Sequence, residues 1–509
     1  MKTRVQQWLL RHPAGALGIP LVLALVVRLI GIASRPIWYD EAFAVLFAEK
    51  GLGAMLLGTL SSVGTAAADV HPLGYYTLLW GWMGLFDESL LSVRALSVIA
   101  SLVTIVVTYF LARELFGSPT AIAASILVAL SPFQVHYGQE IRMYAFLGLW
   151  LVLATYCYWR GSQSEKWQWW LGFAIFAALG QYTHNLAGFY LLALALWPLF
   201  SHDWRVLKRV AVAGCASLVL YLPWLIQLPA QFARVNQAYW IERPGPYRLL
   251  TLLLAFVTDL PLPPPQLGFG LFVALSVTIL ALIQTVRAAR HKDPQSLQAV
   301  WVLYLAFAAP LFVFLFSQWK PVYLERAFLP SGVLFCIWVA WMLTQANTSR
   351  VARIMMILIL AAGFSVGLYQ HVTYGGFPYA PYDEIAESLR SYEKAGDVIV
   401  HSSKLSFLPT VYYDRSLPGR YLADPPGSGV DTLALSTQQV LGLEASSDMA
   451  LAVGDARRVW FVIFDESNKE YIRAGYPRHP HLTWLMMHFE LVEIQSWEDL
   501  DVYLFSLKS

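Results

Sequence analysis

The chain has 509 residues, of which 57% are hydrophobic and 13% charged, against about 45–50% and 25% in ordinary soluble domains. That balance excludes a water-soluble globular protein and calls for lipid as solvent. The formal charge of +2 gives no reason to expect a nucleic-acid partner. Cys157, Cys215 and Cys336, each alone in an apolar run, form neither a zinc-ligand spacing nor a disulfide framework.

Crossing a bilayer core takes about 20 apolar residues per helix. Such runs recur near residues 14–34, 90–112, 119–135, 141–159, 167–182, 186–200, 210–227, 267–287, 299–316, 327–345 and 351–372, predicting about eleven transmembrane helices. Met1 to His12 is basic, and the apolar run after it is too long for a signal-peptide core, so it reads as an uncleaved first span. With the N-terminus cytoplasmic, the short basic loops at Arg113–Glu114, Arg160 to Lys166, Arg205 to Arg209, Arg287 to Lys292 and Arg350 to Arg353 all fall on the cytoplasmic side, as the positive-inside rule requires. An odd number of spans then places the C-terminus outside.

Residues 35–89 form a long outer segment. Its stretch Phe43 to Leu60 is partly amphipathic and is expected to lie along the membrane surface. His71 to Phe86 is apolar but short for a span, and reads as an interfacial or re-entrant helix. A second outer segment, 229–266, is rich in Pro and aromatic residues and reads as a lid-like loop. These loops belong to a transmembrane domain covering 1–374. From residue 375 to 509 charged residues become frequent, and Asp397 to His401, Val459 to Phe464 and Val502 to Phe505 are predicted strands after a helix at Pro381 to Lys394. This is a small extracytoplasmic α/β domain. Its Asp465–Glu466 and His479 to His481 read as exposed surface.

Chemistry-bearing residues gather at the outer boundary. Trp38-Tyr39-Asp40-Glu41 follows the first span directly; two adjacent carboxylates there are either a helix N-cap, with Asp40 capping a helix from Glu41, or a functional pair. Other outer loops carry His71-Pro72, His136-Tyr137-Gly138-Gln139-Glu140-Ile141-Arg142-Met143-Tyr144, His184-Asn185, and Gln318 to Arg326. Asp, Glu, His and Arg collected on one side suggest a wet cavity rather than ordinary Trp and Tyr anchoring. Arg28 and Arg94 lie within the first two apolar runs and are not assigned.

The segments WYDEAF, HPLGYY, RALS…LARELFG, SPF…YGQEIRMYA and LERAFLP, in this order over roughly residues 15–345, resemble the polyprenyl-phosphate-sugar glycosyltransferases of the GT-C fold. Within these they are closest to family 39-like proteins, the protein O-mannosyltransferase and lipid A aminoarabinose transferase group. The resemblance implies that Asp40 is a general base, with Glu41 beside it. Removing a hydroxyl proton as the new bond forms is work a positioned carboxylate can do. The leaving group is already a phosphate and needs cations, for which Arg142, Lys320 and Arg326 lie on the expected side. His71, Glu140 and His184 could complete a divalent-metal site for Mg, Mn or Zn, or could instead be hydrogen-bonded groups steadying the loops; no cofactor is certain.

The expected function is transfer of a hexose or pentose from a polyprenyl-phosphate carrier to a protein, lipid or glycan acceptor at the outer face of a bacterial plasma membrane. A transporter or flippase of a lipid-linked glycan is the main alternative. It would place polar residues near the bilayer midplane, frequently at broken helices. A receptor reading would leave the outer carboxylates and arginines without a purpose.

Overall fold

The computed structural model describes residues 13–60, 71–235, 241–291, 293–344, 349–424 and 432–508. Met1 to His12, Lys292 and the parts of the outer segments at 61–70 and 236–240 lie outside the described residues. The chain forms two compact units, one of Met1–Ile32, Arg94–Ile226 and Ile241–Thr373, the other of Ala33–Val93, Gln227–Trp240 and Tyr374–Ser509.

Each predicted apolar run carries a helix: Pro13–Leu29, Leu90–Phe116, Ser118–Leu130, Tyr144–Ser162, Trp167–Thr183, Ala187–Phe200, Trp204–Leu225, Pro264–Arg290, Ser296–Ser317, Leu329–Thr344 and Arg350–Thr373. Among the described residues six helices are long and apolar enough to cross a membrane, or seven if one bent pair counts as a span. The protein is therefore a multi-pass membrane protein. Leu329–Thr344 is buried along almost its whole length, packed by Ser118–Leu130, Tyr144–Ser162 and Ser296–Ser317. Between apolar helices, side-chain hydrogen bonds supply part of the specificity: Trp338 Nε1 donates to Thr285 Oγ1 at 2.9 Å and Gln181 Nε2 to Ser217 Oγ at 2.6 Å.

The run expected as a straight span at 119–135 is broken. Ser118–Leu130 and Pro132–Gln139 meet at a 57° bend, because Pro132 has no N–H to give Val128 and its ring is incompatible with a continuing helix. The carbonyls left over cannot be hydrated in a hydrophobic layer and need protein donors. Arg28, fully buried in the first helix, supplies them. Its Nη1 donates to Ala129 O at 2.9 Å, its Nη2 to Val128 O and Gln134 O at 3.4 Å each, and its Nε to Ser101 Oγ at 2.9 Å. The favour is returned: Gln139 Nε2 donates to Arg28 O and Ile30 O, both at 2.8 Å, where the first helix ends, and Arg94 Nη1 reaches Ile32 O at 2.9 Å. The two arginines left unassigned by sequence are thus backbone caps. The segment expected as a loop at 229–266 also differs: it holds the helices Leu228–Val235 and Tyr247–Thr258.

In the second unit, the stretch expected to lie along the membrane surface is instead two helices, Tyr39–Ala48 and Leu52–Leu60, separated at Gly51 (φ +83°). Every residue from Glu41 to Ala48 is buried, so this helix is apolar on all sides, as a core helix is. It packs against Gly74–Leu85 and Lys404–Tyr413, with the Phe43, Phe47 and Tyr76 rings in contact. Arg35 donates to Tyr379 Oη at 2.6 Å, and Ser436 and Thr437 donate to Gly58 O. The first outer segment is therefore folded into one body with the C-terminal residues.

That body contains a five-stranded sheet of order β2-β1-β3-β5-β4, with β1 Asp397–His401, β2 Gly419–Tyr421, β3 Arg458–Phe464, β4 Phe489–Trp497 and β5 Leu500–Leu507. β1 is parallel to β2 and β3, whereas β5 is antiparallel to β3 and β4. Both faces of β3 are covered: Val459, Phe461 and Ile463 enter one apolar cluster, and Trp460, Val462 and Phe464 the other. β4 is exposed over most of its length, which is why its sequence, FELVEIQSW, carries no buried-strand signal.

His479 is buried and accepts from His481 N at 3.2 Å, a correction to the expected exposed surface. Asp465 and Glu466 pair with Lys469 and Arg473. Burial pushes His401 down to about 3, His479 to about 3 and His481 to about 4.

Replacing Arg28 by Met should cost about 2–6 kcal/mol, since each of two buried carbonyls left unpaired costs about 1–3 kcal/mol. A thermal midpoint in detergent equal to that of a control at the exposed Val22, Val22→Ala, would remove Arg28 from this role. The histidines give a second expectation. They are neutral when folded and take up protons on unfolding below about pH 6.5, so their contribution is present above that pH and is lost as pH falls toward 4. The midpoint of the full chain should fall over that window, with a smaller slope in His401→Asn; a slope unchanged by the substitution would mean that His401 is not held neutral.

Candidate active site

In the second unit the residues around the first outer motif are set by the start of the helix Tyr39–Ala48. Trp38 is its N-cap, in extended conformation and without a side-chain cap bond, and Asp40 and Glu41 stand in the first turn. Asp40 is thus not the cap that one sequence reading allowed. Carboxylates in a first turn are favoured by the helix dipole and its unpaired N–H groups. Glu41 is buried, and Asp40 is partly buried. Lys404, which the sequence reading did not single out, is buried at the start of Lys404–Tyr413, with Nζ 5.3 Å from the Tyr39 ring centroid. That brings a cation next to the residue preceding Asp40. His71 lies in the bend before Gly74–Leu85.

In the first unit the locked segment 131–143 delivers the remaining motif. Ser97 Oγ donates to Glu140 O at 2.6 Å, and Gln134 Nε2 to Leu329 O at 2.9 Å, so the backbone of this segment is pinned at both ends. Glu140, Arg142 and His184 are all buried. Arg326, in the short 3₁₀ turn Glu325–Phe328, lies with Cζ 5.1 Å from the Tyr144 ring centroid. Tyr144 in turn meets the His184 ring at 5.9 Å and the Tyr137 ring at 5.4 Å. His184 Nδ1 accepts from Leu186 N at 3.1 Å. Glu325 pairs with Arg248, 2.8 Å away. Lys320 lies over Trp319, 6.0 Å from the ring centroid, and joins none of these ring contacts.

The described residues hold one group of three ligand-bearing side chains whose candidate ligand atoms all lie within 4.8 Å of one another: His136, Asp259 and His371. Glu140 and His184 are not members of it, and His71 belongs to the other unit. From sequence His136 is one of the polar residues of an outer loop without an assigned role, and neither Asp259 nor His371 stands in a recognisable motif. The available signal was a lone Asp between an apolar helix and a proline run, and a lone His near the end of the last apolar run.

The family described as "Dolichyl-phosphate-mannose-protein mannosyltransferase" matches residues 70–227. An undecaprenyl phosphate-alpha-4-amino-4-deoxy-L-arabinose arabinosyl transferase of Pseudomonas paraeruginosa is 26% identical over 298 residues, 54% of this chain and 50% of that protein. The match therefore spans half the length of that relative. Two crystal structures of ArnT from Cupriavidus metallidurans align with nearly all of this chain. The apo form has a TM-score of 0.66 at 15% identity, covering 97% of this chain and 98% of that one. The form bound to undecaprenyl phosphate has a TM-score of 0.61 at 14% identity with the same coverage. The resemblance read from the sequence is the one these comparisons return, and the fold is that of the polytopic GT-C membrane proteins.

Proposed function

We propose that this protein, which has the GT-C fold over nearly its whole length, transfers a sugar from a polyprenyl-phosphate carrier to an acceptor hydroxyl or phosphate at the extracytoplasmic face of a bacterial membrane. The observation carrying this reading is the carboxylate pair Asp40 and Glu41 in the first turn of a buried helix, with Asp40 only partly buried, in a chain whose fold is shared with a protein crystallised with undecaprenyl phosphate. The relative's name supports a pentosyl donor.

In this reading the acceptor oxygen attacks the anomeric carbon as Asp40 takes its proton. The bond from that carbon to the phosphate oxygen breaks, and polyprenyl phosphate leaves. One displacement inverts the anomeric centre and needs no covalent nucleophile on the protein. Glu41, in the same turn, holds a second negative charge beside the base. Arg142 and Arg326, with Lys320, supply cations for the departing phosphate, since guanidinium pairs with phosphate oxygens in bidentate fashion. Residues 375–509, folded with the loop that bears Asp40, form an acceptor-selecting platform. A metal held by His71, Glu140 and His184 is not required by this route.

Transfer from a panel of radiolabelled polyprenyl-phosphate sugars to native membrane acceptors should fall by at least about 10²-fold in Asp40→Asn, the lower range for general-base catalysis. No transfer from any donor by well-folded wild type would reject the enzyme reading; near-normal transfer by the variant would reject the base. The orientation has its own test on a background lacking the three native cysteines. A cysteine replacing the exposed Trp319 should react with an impermeant thiol reagent in intact cells, and one replacing the exposed Gln163 only after lysis. The opposite pattern would invert the topology.

A further inference from the structure

The group His136, Asp259 and His371 is set apart from the residues used above, and its construction is specific. His136 sits in the bent segment Pro132–Gln139, Asp259 directly follows the helix Tyr247–Thr258, and His371 lies in the last turn of Arg350–Thr373. All three are buried. His136 Nδ1 is 2.6 Å from Asp259 Oδ2, and the two imidazole centroids are 4.9 Å apart.

Each member is held by its own device. Asp259 has φ +59° and ψ 176°, a backbone conformation that residues with a side chain rarely adopt; its N–H still bonds Leu254 O and Ala255 O at 3.1 and 3.2 Å, which turns the side chain out of the helix line. His371 continues a stripe of Gly363 and Gly367 at four-residue spacing, one face of the helix. A Cβ at Gly367 would collide with Thr258 O, and one at Gly363 would come 2.9 Å from Val273 Cγ1. The two glycines therefore let the last long helix approach the end of Tyr247–Thr258 closely, bringing His371 up to Asp259.

The hydrogen bonds also select the imidazole tautomer. Gln139 Nε2 is committed to Arg28 O and Ile30 O, so the amide is oriented with Oε1 toward His371 Nε2, 2.6 Å away. An amide oxygen only accepts. His371 Nε2 must carry the proton, and in neutral His371 the lone pair is on Nδ1. That is the arrangement of a metal-ligating histidine whose second nitrogen is anchored by an oxygen acceptor. Two imidazoles and one carboxylate form the donor set that suits Zn²⁺ and its neighbours, not Ca²⁺ or Mg²⁺, which take oxygen ligands.

We propose that His136, Asp259 and His371 bind one divalent transition-metal ion of the zinc class, with a fourth position left for water, tying together three segments more than a hundred residues apart in sequence. A 2+ ion would also neutralise the buried Asp259 carboxylate. The inference does not depend on which sugar is transferred or on Asp40 being the base.

The experiment is metal analysis of the full chain purified in detergent, stripped with chelator and re-equilibrated with buffered Zn²⁺. Wild type should retain about one zinc per chain at a three-protein-ligand site. His371→Gln and Asp259→Asn should each weaken binding by at least about 10-fold, the lower range even for losing a group that only hydrogen-bonds a ligand, whereas His184→Gln should bind as wild type. Chelator should lower the thermal midpoint of wild type and leave that of Asp259→Asn unchanged; Asn has the shape of Asp and keeps a hydrogen-bonding partner for His136, so this variant is the one expected to fold normally. Wild type that holds no zinc, variants that hold as much as wild type, or zinc lost on His184→Gln instead would each overturn the proposal and leave the group as a hydrogen-bonded triad.

Discussion

A broken helix inside a hydrophobic layer must find donors for its freed carbonyls from within the protein, and in this chain that need organises the first unit. Pro132 breaks the span, Arg28 caps the carbonyls the break exposes, and Gln139 from beyond the break caps the end of the helix that carries Arg28. The exchange is reciprocal, so neither helix end is satisfied without the other. Loss of Arg28 strands carbonyls at the break, and loss of Gln139 strands those at the end of the first helix. The same locked segment leads straight into Glu140, Arg142 and Tyr144, so the rigidity needed to place these groups comes from the backbone accounting of a membrane helix.

The second unit follows a different logic. The helix carrying Asp40 and Glu41 is buried from Glu41 to Ala48, against Gly74–Leu85 and Lys404–Tyr413. Its stability is therefore tied to the C-terminal fold. A transmembrane enzyme with a base on a free surface helix could lose its soluble domain and keep the base in place. Here the first outer segment and the C-terminal residues share a core, and Lys404, from the distal part of the chain, sits beside Tyr39.

Where the sequence reading succeeded, a local physical signal was sufficient. Apolar runs of bilayer length located all eleven helices, and the runs Asp397 to His401, Val459 to Phe464 and Val502 to Phe505 located the three strands rich in buried apolar residues. β4 was missed because an edge strand open to solvent has no buried face to pattern, and the break at Pro132 was missed because hydropathy averages over it. Asp40 as a helix cap failed for a subtler reason: the helix begins at Tyr39, and only the backbone conformation of Trp38 decides that. Arg28 and Arg94 could be seen as charges in the wrong place, but their acceptors are carbonyls, which leave no trace in a sequence.

By itself, then, the sequence determined the solvent of this protein, the positions of its long apolar helices, the existence of a C-terminal strand-bearing domain and the motif order that marks its fold, because each of these rests on composition or on residues close along the chain. The tertiary structure alone decided that the first outer segment and the C-terminal domain are one body, that Arg28 and Gln139 cap each other's helices, and that His136, Asp259 and His371 converge. Those outcomes depend on contacts between residues a hundred or more positions apart, set by glycine approach distances, helix bends and carbonyl directions, and no local pattern encodes such distances.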